Sequence, residues 1–257
     1  METNMSIIWS KRINSAGQIL EALQQGFSAI DFSLTELTNS SSEELKLIKS
    51  LLAQTNLRVA SFSNLLPDDV TVTSSGFNDY VWLLYVKKTL EQIVPFGGDH
   101  DQIISWDNGA ARALPWESGV LEAKEQFYRF LHASCQAALI NQQTIALAPA
   151  SSHASNYLNT AQQMLEFIAL VDMPNLKISI LDRYWNSTHT KETELSDYVA
   201  AISQVTLTAS LQLNKAQKDQ QHELLKQLQR AGYKGIITLD GNFTKQDLKQ
   251  VKSHFEA

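Results

Sequence analysis

Short apolar segments alternate with longer amphipathic segments along nearly the whole chain. This alternation is typical of an α/β fold with a parallel sheet and differs from that of a helical bundle or a β-sandwich. Eight of the apolar segments have the length and flanking residues of β-strands. The predicted strands are Ser6–Ser10, Phe27–Leu34, Leu57–Leu65, Asp101–Asp107, Thr144–Ala150, Leu176–Asp182, Val205–Leu213 and Gly235–Asp240.

The amphipathic segments between these strands carry local signals for the ends of helices. Ser41 stands three residues before Glu44, which is the spacing of a capping box. Thr160 is placed to cap the helix that follows it, and Gly26 is placed to end the first helix in the left-handed conformation. The pattern therefore predicts that a helix follows each strand.

Eight strands that are each followed by a helix close most simply into a (β/α)8 TIM barrel. An open doubly wound sheet is the alternative, but the first strand-to-helix turn, residues 9–17, lacks the glycine fingerprint of a dinucleotide site. No linker divides the chain, so we predict one domain over residues 1–257. In this fold the chemistry lies at the carboxyl ends of the strands.

Composition narrows the classes of partner. The formal net charge of -6, without a cluster of lysine or arginine, argues against nucleic acid. No segment has the length of a membrane span or the pattern of a signal peptide, and the single cysteine, Cys135, lies in a helical pattern as a buried thiol would. These features predict a cytoplasmic protein without a membrane partner, and they leave a homo-oligomer open.

Three segments resemble the sugar isomerase and epimerase superfamily, the xylose-isomerase-like TIM barrels. They are GFSAIDFSL at the second strand, NTAQQMLEFIALVDMPNLKISILDRYW around the sixth, and LKQLQRAGYKGIITLD before the last. Their order and spacing cover nearly the whole chain. The resemblance implies a TIM barrel that binds a small polar or sugar-like molecule and moves a proton between adjacent carbons of a hydroxy-carbonyl compound.

Members of that family typically hold one divalent metal with ligands at the ends of strands five to eight: a glutamate, an aspartate, a histidine and a glutamate. Here the first position is Ala148, the second is Asp182, the seventh strand offers Gln204 and Thr206 but no histidine, and the fourth position is Asp240. Two aspartates alone hold a divalent ion weakly. The expected cofactor is therefore none, or a weakly bound divalent metal.

Asp182 and Asp240 are the predicted catalytic residues and the remaining metal ligands. Asp182 would be a ligand or an orienting carboxylate, and Asp240 a ligand or a general base. His153 and His189 follow the fifth and sixth strands, where a ligand could be rebuilt, although a solvated loop histidine is the plainer interpretation. Asp31, in the second strand, resembles an acidic residue of the family, but the sequence leaves open whether it points into the barrel.

Other predicted substrate-binding residues lie near the ends of the strands. Arg112, in the long loop after the fourth strand, could clamp a carboxylate or a phosphate, or could lie on the surface. Trp106, Trp116 and Trp185 could form an aromatic wall for a sugar ring, or could pack beneath the loops.

Two functions stay open from the sequence. One is an isomerase or epimerase that acts on a sugar or a sugar phosphate with an incomplete metal site. The other is a non-catalytic relative, a pseudoenzyme that binds a small polar ligand or a protein partner.

Overall fold

The computed structural model describes residues 7–97, 101–184, 195–209 and 213–256. Within these ranges, eight parallel strands form a closed barrel in chain order, and β1 pairs with β8 to complete the ring. The fold is a (β/α)8 TIM barrel, which confirms the predicted fold class. The strands are β1 Ile8–Ile13, β2 Ala29–Ser33, β3 Arg58–Ser63, β4 Gln102–Trp106, β5 Gln143–Leu147, β6 Leu176–Leu181, β7 Ile202–Thr208 and β8 Ile236–Asp240.

The α-helices lie between the strands and after the last one. In chain order they are α1 Gly17–Gln25, α2 Leu34–Asn39, α3 Ser42–Thr55, α4 Asp79–Ile93, α5 Val120–Ile140, α6 Ala161–Val171, α7 Leu195–Tyr198, α8 Lys215–Arg230 and α9 Lys245–Glu256. The capping box of Ser41 and Glu44 is present at α3, and Thr160 forms another with Gln163 at α6. Gly26 ends α1 at a φ of 88°, as the sequence predicts.

Two strand boundaries differ from the sequence prediction in a way that matters for the site. The first strand was predicted to end at Ser10 but runs to Ile13, and the seventh begins at Ile202 rather than Val205. Charged residues follow Ser10, and a charge is unusual inside a strand unless it is paired. The longer β1 places Lys11 and Arg12 in the barrel wall.

Strand alternation sends successive side chains to opposite faces of the barrel wall. On β1, Trp9 packs against Phe255 of α9, and Lys11 donates hydrogen bonds to Glu21 and Gln25 of α1. These residues face the helices. Ser10 lies between Trp9 and Lys11, and Arg12 follows Lys11. Ser10 and Arg12 therefore point into the barrel.

The barrel interior has an apolar floor and a polar upper part. Ala29, Ala60 and Ile236 form a small buried cluster at the amino ends of the strands, with Ile8 and Ile103 packed against it. The much larger core lies between the barrel and its helices and includes the buried Cys135. The polar residues that remain inside the barrel are concentrated towards the carboxyl ends of the strands.

The pairing register shifts at two points in the polar part of the wall. One shift lies between Ile30 and Asp31 where β2 pairs with β3, and the other between Ile178 and Ser179 where β6 pairs with β7. Such irregularities change the direction of the side chains that follow them. Among the described residues, no helix has the length and apolar character needed to cross a membrane.

We expect the contact between α8 and α9 to weaken in mild acid. The rings of His222 and His254 lie 4.3 Å apart, and burial, with His254 and Lys226, lowers the pKa of His222 against the opposing effect of Asp219. The folded state then binds fewer protons than the unfolded state, so this contribution is present above about pH 6.5 and is lost as the pH falls. Urea unfolding between pH 7.5 and 5.5 measures it.

The variant His222→Gln is the control for this measurement. It removes the titrating ring but keeps a polar side chain of helical propensity at the same position. Its free energy of unfolding should fall less over the same pH interval. An equal fall in both proteins would contradict the assignment.

Candidate functional site

A network of hydrogen bonds crosses the upper barrel, and two of its contacts join β7 to β2 and β3, which are not its neighbours in the sheet. The Nε2 atom of Gln204 on β7 lies 3.1 Å from Asp31 Oδ2, 3.1 Å from Ser61 Oγ and 2.8 Å from Thr238 Oγ1. The hydroxyls of Ser10 and Thr238 are 2.7 Å apart. Only inward-facing side chains can make such contacts, so these residues fix the direction of alternation on their strands.

Arg12 stands above this network and gathers three carboxylates. Its Nε and Nη2 atoms lie 3.1 and 2.9 Å from Asp31 Oδ2. Nη2 also lies 3.1 Å from Asp107 Oδ2, and Nη1 lies 3.4 Å from Asp240 Oδ2. These three aspartates come from β2, the end of β4 and β8, so the guanidinium joins distant parts of the barrel wall. We call Arg12, Asp31, Asp107 and Asp240 the arginine cluster.

Burial makes the charges of this cluster depend on one another. Burial by itself would lower the pKa of Arg12, but the charges of Asp31, Asp107 and Asp240 outweigh it and raise that pKa above its ordinary value. Burial raises the pKa of Asp31; Arg12 and Gln204 oppose the rise, and Asp107 adds to it. Arg12 is therefore held charged, because the three carboxylates favour its charged form more strongly than burial disfavours it.

Asp107 links the arginine cluster to a pocket at the mouth of the barrel. Its Oδ2 atom contacts Arg12, while its Oδ1 atom accepts a hydrogen bond of 3.2 Å from Ser179 Oγ. The pocket has a volume of about 310 Å³, and the loops after β3, β4, β5 and β6 form its wall. The polar side chains of this mouth pocket are those of Asn64, Asp68, Asp107, Asn108, Ser151, Arg183 and Tyr184.

The loops that line the mouth pocket are tied to one another. Asn108 Nδ2 donates a hydrogen bond of 3.1 Å to the carbonyl of Asp68, which joins the loops after β3 and β4. Gly109 lies so close to the loop after β5 that a Cβ atom there would stand 2.6 Å from the Cβ of Ala150. Only glycine permits this approach, so the pocket wall is built around it.

Several buried polar atoms inside the barrel have no protein hydrogen-bond partner among the described residues. They lie at inward positions on β2, β3, β4 and β7 and comprise Asp31 Oδ1, Ser63 Oγ, Ser105 Oγ, Gln204 Oε1 and Thr206 Oγ1. Buried polar groups are normally paired. The upper barrel therefore has hydrogen-bonding capacity for a small polar molecule or for water.

The implied metal site does not fit the residues present. Ala148 contributes a buried methyl group, and β7 presents Gln204 and Thr206 instead of an imidazole. Asp240 is already in contact with the guanidinium of Arg12, whose positive charge opposes a second cation at the same place. In the part of the chain that the structure describes, no three His, Cys, Asp or Glu side chains form a group that could hold an ion.

Asp182 lies outside the arginine cluster, although the sequence predicts that it ends a strand, as Asp240 does. Its Oδ1 accepts a hydrogen bond from Thr208 Oγ1, and its Oδ2 accepts hydrogen bonds from the Thr208 backbone and from Gln221 of α8. β6 ends at Leu181, and Asp182 begins the turn that follows it, where its carboxylate is held between the end of β7 and α8. The structure therefore does not bring Asp182 and Asp240 together as the predicted ligand pair.

Trp106 and Arg112 are both closed off from solvent. Trp106 is 0% exposed and packs against Phe127 and Phe130 of α5, so it faces the helices and not a ligand. Arg112 is also 0% exposed and donates a hydrogen bond to the carbonyl of Ala148. Burial lowers its pKa to about 10, against the opposing charges of Asp107 and Tyr157. Neither side chain presents the binding surface predicted for it, and Arg112 does not lie on the surface.

The remaining predicted site residues have different surroundings. His153 is exposed on the loop after β5, next to Ala154 of the pocket wall. Trp116 is 89% exposed. Trp185 and His189 lie outside the described residues. Asp31, whose direction the sequence left open, points into the barrel.

Sequence reasoning missed Arg12 and Asp107 as site residues. The available signal was spacing: Arg12 stands two residues after Ser10, and Asp107 two residues after Ser105, so each shares the inward face of its strand with a serine. Arg12 was missed because the first strand was predicted to end before it.

No protein-family model and no curated protein matches this chain. Several solved structures, in contrast, are similar to it. The structure of 3-keto-D-glucoside 4-epimerase from E. coli superposes with a TM-score of 0.75 at 14% identity, covering 96% of this chain and all of that one. D-allulose 3-epimerase from Methylomonas sp., in complex with D-allulose, gives a TM-score of 0.71 at 17% identity over 98% of this chain and 90% of that chain.

A xylose isomerase domain protein from Alicyclobacillus acidocaldarius gives a TM-score of 0.72 at 11% identity, over 98% of this chain and 100% of that chain. At these identities the likeness shows the fold. The chain therefore shares the TIM-barrel fold of these structures, as the resemblance implied.

We expect Asp182→Asn to destabilise the protein, because the amide replaces one acceptor oxygen by an NH2 donor that faces the donors of Thr208 and Gln221. Leaving buried donors unpaired lowers the free energy of unfolding by about 1–3 kcal/mol. Urea unfolding measures this loss. Asp240→Asn is the comparison, since that side chain is 36% exposed and can pair with water, and we expect a smaller loss. The reverse order would contradict a structural role for Asp182.

Proposed function

Since the chain has the fold of xylose-isomerase-like sugar epimerases, we propose that it binds a small polyhydroxylated molecule, such as a sugar, in the mouth pocket without a divalent metal. The observation that carries the proposal is the position of Asp107. Its carboxylate lines the pocket, and Arg12 and Ser179 hold it from below.

The size and lining of the mouth pocket suit such a ligand. A volume of about 310 Å³ lies at the lower end of the range for small-molecule sites, so it favours a single small molecule. Carboxylates accept hydrogen bonds from hydroxyl groups, and the side-chain amides of Asn64 and Asn108 both accept and donate them. A polyhydroxylated molecule can use both kinds of contact.

The charge of the mouth pocket favours neutral molecules over phosphorylated ones. Asp68 and Asp107 bring two carboxylates to the wall, and Arg183 brings one guanidinium. A phosphate group would have to approach these carboxylates, which costs free energy in a partly enclosed pocket. Of the two substrate types left open by the sequence, we therefore favour the unphosphorylated sugar.

Proton transfer on the bound molecule is a second candidate function. Two carboxylates in one pocket, Asp68 and Asp107, are the groups that such a reaction needs. One would take a proton from the carbon next to a carbonyl, and the electron pair left behind would spread onto the carbonyl oxygen. A proton delivered to the same carbon from the other face would complete the change of configuration.

We expect Asp107→Asn to weaken ligand binding roughly 10- to 100-fold, the range that follows from losing a hydrogen bond to a charged group. Isothermal titration of D-fructose, D-allulose and D-tagatose, in the presence of EDTA, measures the dissociation constants. Asp101→Asn is the matched control, because Asp101 is exposed just before the same strand, β4, begins. Its affinity should equal that of the original protein.

Two outcomes of this titration would contradict the proposal. One is the absence of saturable binding by any neutral sugar, and the other is equal affinity of Asp107→Asn and the original protein. Proton NMR in D2O then separates the two candidate functions. If a carbon-bound proton of the sugar exchanges for deuterium with the original protein but not with Asp107→Asn, the result supports proton transfer. Binding of the sugar without such exchange supports a binding protein.

A further inference from the structure

A second cavity lies on the same face of the barrel as the mouth pocket. It lies between the loops after β3 and β4 and the first turns of α5, and its volume is about 570 Å³. Both loops leave the carboxyl ends of their strands, yet no described residue lines both cavities. We call this cavity, which is lined by residues within 71–75, 113–115 and 118–126, the α5 cleft.

Hydrogen bonds within the protein hold the walls of the α5 cleft together. Thr73 Oγ1 donates a hydrogen bond of 2.5 Å to the carbonyl of Ala113, which joins the two loops. Gln126 Nε2 donates one of 2.8 Å to the carbonyl of Ser74, which joins the first of these loops to α5. The protein's own contacts therefore define the shape of the cleft, which reduces the entropy that binding would lose.

The polar groups of the α5 cleft are hydroxyls, a carboxylate and backbone amides. Its hydroxyl groups include those of Thr71, Ser74, Ser75 and Ser118. Glu122, on the first turn of α5, is exposed and brings the carboxylate. The first amides of α5 have no acceptor within the helix, and no described side chain caps them. The wall therefore offers both donors and acceptors to the hydroxyl groups of a ligand.

The charge of the α5 cleft favours a neutral ligand. Glu122 lines it, whereas no lysine, arginine or histidine among the described residues does so. A carboxylate or phosphate group of a ligand would meet the Glu122 carboxylate without a basic partner. Leu114, Pro115 and Ala123 add an apolar part to the wall, which suits the carbon–hydrogen face of a sugar ring.

Trp116 stands at the rim of the α5 cleft and is almost entirely exposed. It follows Pro115 of the wall directly and precedes Ser118 of the wall by two residues. Its side chain is 89% exposed, so its ring makes little contact with the protein. An indole has a large apolar face that can stack on a sugar ring. The exposed ring is therefore available to a ligand in the cleft.

We propose that the α5 cleft binds a neutral oligosaccharide of at least two linked sugar units. Trp116 stacks on one ring, and Glu122 accepts hydrogen bonds from hydroxyl groups of the next. The volume supports this length, because the mouth pocket, with room for one small molecule, has about 310 Å³ against about 570 Å³ here. The proposal rests on the α5 cleft alone and does not depend on sugar binding in the mouth pocket.

Titration calorimetry with cellobiose, maltose, sucrose, lactose and maltotriose tests the proposal. We expect the original protein to bind at least one of them saturably, with a shift of tryptophan fluorescence to shorter wavelength as the indole of Trp116 leaves water. Trp116→Ala should weaken this binding roughly 10-fold and abolish the shift. Glu122→Gln should also weaken it roughly 10-fold, because the amide keeps the shape of the side chain but loses the charge of the acceptor.

Two matched variants control for unspecific effects. Tyr80→Ala removes another aromatic ring that is 78% exposed, on α4, and does not line the cleft. Glu125→Gln removes an exposed carboxylate of α5 that does not line the cleft either. Both should bind the oligosaccharide as the original protein does. All four substituted side chains are exposed, so each variant should keep the Tm of the original protein.

Three results would overturn the proposal. The first is saturable binding of none of the five sugars. The second is binding that Trp116→Ala or Glu122→Gln leaves unchanged, or that the control variants weaken equally. The third is a loss of oligosaccharide binding in Asp107→Asn as large as that in Trp116→Ala, which would place the ligand in the mouth pocket. Oligosaccharide binding that depends on Trp116, in a protein that binds no monosaccharide, would support this proposal while contradicting the function proposed for the mouth pocket.

Discussion

A guanidinium enclosed in a barrel needs carboxylates close by to balance its charge, and here they come from other strands. This need for charge pairing organises the upper half of the barrel. Arg12 is held by Asp31, Asp107 and Asp240, which lie far apart in the chain. Below it, Gln204 joins Asp31 to Ser61 and Thr238. Removing one of the two buried partners of Arg12, Asp31 or Asp107, would leave the guanidinium without a matching charge in the barrel, which costs free energy.

The same constraint shapes the mouth pocket. Asp107 shares its carboxylate between the guanidinium below and Ser179 on β6, so this group of the pocket wall is held in place by the protein itself. The loops around it are fixed too, by the bond from Asn108 to Asp68 and by the close approach of Gly109 to Ala150. A preorganised wall reduces the entropy that binding would otherwise lose.

The barrel shares its fold with sugar epimerases at 14% and 17% identity, although the implied ligand positions hold other chemistry. Ala148 offers no ligand atom, and Asp182 serves the packing of α8 against β7. A fold can therefore be kept while the charges at its centre are rearranged. In this chain the rearrangement is internally consistent, because the arginine and the carboxylates around it compensate one another.

The sequence by itself determined the order of strands and helices, the capping box at Ser41, the cap at Thr160 and the TIM-barrel class, because these depend on local periodicity and on hydrogen bonds between near neighbours. It did not determine which strand ends share a cavity. Both aspartates, Asp182 and Asp240, were predicted to end a strand. Asp240 does so and contacts Arg12 inside the barrel, whereas Asp182 lies in the turn after β6 and is bound by Thr208 and by Gln221 of α8. Only closure of the barrel, with its register shifts, assigned those positions and brought Arg12 to Asp107 across 95 residues of chain.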